Sequence, residues 1–111
     1  MAYGVIGNAS AQGAPRSFVA SPDVYKVIAQ NDEYLVIEVT WKPGQRDQFH
    51  SHPSNAGYPL ADCTLRSSTP DGKPRDVAVV AGRSNVQKSI ASHSMANIGK
   101  SDCKLIMFEP K

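Results

Sequence analysis

The sequence predicts an all-β domain, a sandwich or barrel of short strands, on three observations. Between Tyr34 and Lys42 the side chains alternate with period two. Leu35, Ile37, Val39 and Trp41 fall on one face, and Tyr34, Val36, Glu38 and Thr40 on the other. Turn-forming clusters recur at short intervals, at Asn31-Asp32-Glu33, Pro43-Gly44 and Thr69-Pro70-Asp71-Gly72-Lys73-Pro74. No segment sustains an apolar period of 3.6 residues over several turns.

Taken in order, residues 1–20 form an arm rich in Gly, Ala and Ser, with Pro15 inside it. Such a segment has no apolar face of its own to bury, so it is expected to be flexible or to pair with a sheet edge. Residues 21–111 then make up the barrel domain. Val24–Gln30 and Tyr34–Lys42 read as a hairpin closed by Asn31-Asp32-Glu33. After Pro43-Gly44 come a strand holding His50 and His52, a bend over 53–59, and a strand from Leu60 to Ser67. Asp76–Ala81, Gln87–His93 and Cys103–Glu109 complete the set, with Trp41, Phe49, Leu65, Ile106 and Phe108 as expected core.

A chain of 111 residues with 41% apolar content is long enough for one packed core. Its net charge of +2 comes from scattered Lys and Arg, with no basic run interleaved with aromatics, so a nucleic-acid platform is not expected. No stretch reaches the length of a membrane span, and none is expected to contact a membrane. Cys63 and Cys103 are too few for a disulfide framework, which favours two reduced thiols and a cytoplasmic setting. Ala9-Ser10-Ala11-Gln12 resembles a signal-peptidase context and leaves a trimmed periplasmic form open. Sheet edges that need cover, with an arm long enough to cross to a neighbour, predict a homodimer.

The chemistry is concentrated in His50 and His52, one residue apart in a segment bracketed by Pro43, Gly44 and Pro53. In an extended strand such a pair shares a face, so both rings can reach one ion. Taken alone, a His-x-His pair is more often exposed or hydrogen-bonded than metal-binding. Here a glycine lies six positions before the pair, and His93, the third and last histidine, is followed by Asn97 and Gly99. That context favours a metal site.

In these motifs the sequence resembles the cupin superfamily over residues 24–109. Gly44, His50 and His52 match the spacing of its first motif, and His93 with Asn97 matches the end of its second. The resemblance implies a cupin-type double-stranded β-helix, a jelly-roll barrel, with the His pair on one strand and His93 on a strand across the mouth. Two features depart from the pattern. The glutamate of the first motif would fall at Ala56 or Gly57, and the second motif lacks its Pro-x-Gly. A three-His set remains, similar to that of thiol dioxygenases and diketone-cleaving enzymes in the superfamily.

Three neutral imidazoles leave positions on an ion open for water, substrate or dioxygen, and suit Fe, Zn, Ni, Mn or Cu. An anionic small-molecule ligand would meet the uncompensated charge. Gln48, two residues before His50, is a candidate fourth ligand by parity; Arg46 shares that parity and could meet an anion; Tyr58 could bring a phenol. Asn97 reads as a backbone-bonding residue at a turn. The expected function is a metal-dependent enzyme of dioxygenase type acting on a small anionic metabolite. The alternatives are a non-catalytic binding or sensing protein using the same site, and a purely structural metal.

Overall fold

The computed structural model describes residues 13–111. Nine strands follow a one-turn helix, α1 (Ser17–Ala20), in the order β1 (Tyr25–Gln30), β2 (Tyr34–Trp41), β3 (His50–His52), β4 (Asn55–Pro59), β5 (Cys63–Ser68), β6 (Pro74–Val79), β7 (Asn85–Gln87), β8 (Ile90–Asn97) and β9 (Cys103–Pro110). They form two antiparallel sheets, β1-β2-β9-β4-β7 and β3-β8-β5-β6. No helix among the described residues is long and apolar enough to cross a membrane.

Strand β2 carries the core as its alternation predicts: Leu35, Ile37, Val39 and Trp41 are buried. They pack with Val24, Tyr25, Leu65, Cys103 and Met107 between the sheets. Phe49 and Phe108, expected inside, are 43% and 46% exposed. In β9 the inward parity belongs to Cys103, Met107 and Glu109, so Phe108 lies on the outer face.

The turns follow local chemistry. Asn31 closes the first hairpin by accepting the backbone N–H of Glu33 and of Tyr34 with its side-chain oxygen, both at 2.8 Å. At Pro43-Gly44 the N–H of Gln45 donates to the Lys42 carbonyl at 2.9 Å, with Gly44 at φ 81°. A positive φ after proline is the requirement of a type II turn, which favours glycine there.

Three expectations are corrected. The bend over 53–59 contains a true strand, β4, held between β9 and β7. The single strand over Gln87–His93 is two strands in different sheets, broken at Lys88-Ser89. Cys63 and Cys103 are not separate thiols: they are disulfide-bonded across the two sheets, with Cα atoms 5.4 Å apart.

Of the arm, residues 13–16 lie along β3 and β8 of the same chain. Ala14 N–H donates to the Ala91 carbonyl at 3.1 Å and Ser51 N–H to the Pro15 carbonyl at 2.8 Å. Residues 17–20 of the arm form α1, and residues 1–12, on which the expected role in dimer formation falls, lie outside the described residues.

Candidate metal centre

Two irregularities in the pairing of the chain with β8 set the site. Arg46 pairs with Ala96, His50 with His93, and His52 with Ile90. Between the first two pairs residues 46–50 take four steps against three on β8, and between the last two pairs β8 takes three steps against two. Each mismatch is a bulge, and a bulge reverses which side chains face inward. Asp47 is therefore buried with His50, while Gln48 and Phe49 are exposed. His93 is not across the mouth; it stands directly opposite His50 on the adjacent strand.

The result is a cluster of three imidazoles. Ring centroids are 4.7 Å apart for His50–His52 and for His50–His93, and 5.3 Å for His52–His93. One nitrogen from each ring lies within 4.8 Å of the others. Two rings have a defined tautomer. His50 Nδ1–H donates to the Gln48 carbonyl at 2.7 Å, and His52 Nδ1–H to Glu109 Oε2 at 2.6 Å. Both partners are acceptors, which leaves each Nε2 with a free lone pair. His93 Nε2 is buried and meets no hydrogen-bond partner, one of three such side-chain atoms among the described residues.

Two carboxylates missed at the level of sequence fix this arrangement. Glu109 is fully buried and also accepts Arg16 Nη2 at 3.0 Å. Burial would raise its pKa, but the N–H groups of His52 and Arg16 prevail and hold it below the ordinary carboxylate value. Asp47 accepts from the Tyr25 hydroxyl at 2.7 Å, Trp41 Nε1 at 2.9 Å and the Met95 N–H at 2.7 Å. The Tyr25 oxygen is also 3.2 Å from His50 Nε2, and burial, then Asp47, pushes its pKa well above 10.0. Parity along β9 was the signal available for Glu109. Nothing in the sequence marked the bulge that turns Asp47 inward.

The other sequence candidates lie elsewhere. Gln48 is exposed, and its contributions are its backbone N–H to Ser21 Oγ and its carbonyl to His50. Arg46 is exposed, with Nη1 on Ser94 Oγ at 3.1 Å. Tyr58 is 46% exposed on the outer face of β4, whose Asn55, Gly57 and Pro59 turn inward. The position of the absent motif glutamate is thereby resolved, because Gly57 lines the cavity and Ala56 does not. Asn97 holds backbone, donating to the carbonyls of Trp41 and Ser101 at 2.9 and 2.8 Å.

Burial, then the neighbouring His50 and His52, pushes the pKa of His93 down from 6.5 to about 3. The ring is thus neutral at pH 7, with one nitrogen lone pair available. The sign of the stability effect follows. Below 6.5 the unfolded chain takes up a proton at His93 that the folded chain refuses until about 3. Metal-free protein should therefore show a Tm that falls on acidification from about pH 6.5 downwards; a Tm constant or rising over that range would contradict the burial of a neutral imidazole.

The cavity beside the histidines has a volume of about 120 Å³ and includes His52, His93 and Tyr25 in its wall. No protein-family model matches the sequence, and no curated protein matches it. Solved structures do match in fold. A cupin domain from Bordetella pertussis is 20% identical with a TM-score of 0.72, covering 88% of this chain and 96% of that one. A double-stranded β-helix domain from Klebsiella pneumoniae is 17% identical with a TM-score of 0.62, covering 78% and 75%. A cupin-2 domain protein from Shewanella frigidimarina is 21% identical with a TM-score of 0.54, covering 78% and 79%. The chain thus has the cupin fold, with a His triad at its cavity.

Proposed function

We propose that His50, His52 and His93 hold a divalent transition-metal ion through their Nε2 atoms and present it to a small molecule in the cavity. The observation that carries this reading is the buried, unpartnered Nε2 of His93 beside two rings whose Nδ1–H groups are already committed. A buried polar atom without a partner is costly, and an ion satisfies all three lone pairs together. Such an ion supplies a Lewis-acid or redox centre with open positions. Glu109 and the Gln48 carbonyl orient the ligating rings, and Asp47 fixes the Tyr25 hydroxyl at the cavity wall, where a phenol–carboxylate pair can take or return a proton.

These features favour a metal-dependent enzyme of oxygenase type acting on a small anionic metabolite. Non-catalytic ligand binding by the same site is the second reading, favoured by the absence of a carboxylate from the cavity wall among the described residues. The interlocked cysteines support the periplasmic setting over the cytoplasmic one, because such bonds persist in oxidising compartments.

Elemental analysis of untagged protein should find one metal per chain. His50→Ala or His93→Ala should each lower affinity by roughly a hundredfold or more, exceeding the 10–100-fold that loss of an outer partner costs. Ser51→Ala, between the two ligands in sequence, should leave affinity unchanged. Equal losses in all three variants would overturn the assignment.

A further inference from the structure

We propose that the cavity selects a small monoanion with a branched apolar body and excludes dianions and zwitterions of the same size. This rests on the metal reading above, since the ion is what meets the anionic head. The rest of the cavity offers no countercharge. Its walls are mainly Leu65, Val77, Val79, Met95, Leu105 and Met107, its other polar groups beside the histidines are neutral, and no Lys, Arg, Asp or Glu lines it among the described residues. Arg46, the cation nearest the site in sequence, is exposed and bonded to Ser94.

An ion held by three neutral imidazoles keeps its full charge, so one anionic head is matched where it binds. A second charge on the ligand would instead meet apolar groups and the neutral side chains of Tyr25, Asn55, Asn85 and Gln87, with no cation to pair it, and an unpaired buried charge is expensive. An apolar body there gains by leaving water, at about 0.8 kcal/mol per buried methylene. Size narrows the class further. The volume of about 120 Å³ is close to that of cavities of ~150 Å³ that take a six-carbon ring, which points to six or seven heavy atoms.

Two neutral features complete the site. Gly57 leaves open the wall where the motif glutamate would stand, and a Cβ there would come within 3.2 Å of the Asn85 side-chain oxygen. Asn85 and Gln87 on the exposed strand β7 line the mouth and bring amides in place of charges. The mouth therefore exerts no electrostatic pull of its own, and discrimination falls to the walls.

Protein loaded with Co(II) reports its ligands through visible d–d bands, independently of any activity. Three probes of nearly equal heavy-atom count separate the terms: isovalerate; fumarate, whose trans carboxylates cannot both reach one ion; and 4-aminobutyrate, whose amine is too far from the carboxylate for a stable chelate ring. Isovalerate should shift the bands and bind roughly tenfold or more tightly than the other two. Val77→Arg, on the edge strand β6, should reverse the order of isovalerate and fumarate with an unchanged circular dichroism spectrum. Fumarate or 4-aminobutyrate binding as well as isovalerate in the wild type would overturn the proposed selectivity while leaving the metal in place. Failure of the wild type to take up Co(II) at all would overturn the metal reading and this inference with it.

Discussion

Glu109→Ala should lower folding stability by about 1–3 kcal/mol, because it leaves the buried His52 N–H unsatisfied and takes the carboxylate from the part-exposed Arg16. The side chain of Glu109 is fully buried and holds two donors at once, Arg16 Nη2 at 3.0 Å and His52 Nδ1 at 2.6 Å. Without it the His52 N–H is left unpaired in the interior and the ring is free to turn. Metal affinity should therefore fall together with stability, by about 10–100-fold. Glu109→Gln keeps the shape and one acceptor, so it should keep most of the stability and lose part of the affinity. Urea unfolding of metal-free protein and a competitive metal titration measure the two effects separately. An alanine variant as stable and as tight as the wild type would remove Glu109 from the account of the site.

Opening the bond between Cys63 and Cys103 should cost about 4 kcal/mol, the chain-entropy value for a closed loop of 40 residues. The bond joins the first residues of β5 and β9, strands of opposite sheets, and each cysteine lies two positions before a cavity-lining leucine, Leu65 or Leu105. The urea midpoint should drop on reduction and in a Cys63→Ala/Cys103→Ala variant alike. A midpoint unmoved by reductant would mean that the two sheets are held together by packing alone.

The sequence made the fold legible wherever period two was unbroken. The buried face of β2 follows directly from Leu35, Ile37, Val39 and Trp41. The three histidines were legible from spacing, since the motif preserves it. What failed was parity through irregular backbone. Gln48 was expected beside His50 because both numbers are even, but the extra residue between the paired positions 46 and 50 turned Asp47 inward instead. Phe108 and Glu109 have a different cause: β9 is regular, its inward series Cys103, Leu105, Met107 continues to Glu109, and hydrophobicity alone points to Phe108 in place of that parity. The disulfide was hidden for a different reason. Two cysteines give no framework pattern, and only the stacking of the two sheets, which sets the start of β5 against the start of β9, brings them together.

The ion pair between Arg16 and Glu109 spans 93 residues, and through Glu109 it reaches the ring of His52. Few contacts in a chain of this length are more non-local, and non-local contacts are late to form because loop closure precedes any gain from them. The orientation of the His52 ring, a proposed metal ligand, is thereby tied to the completion of the whole topology. A partly folded chain that has not yet docked β9 has the histidines but not the carboxylate that aims His52. Tight binding is then a property of the finished fold, and an ion bound there should slow unfolding by holding shut the last step of assembly.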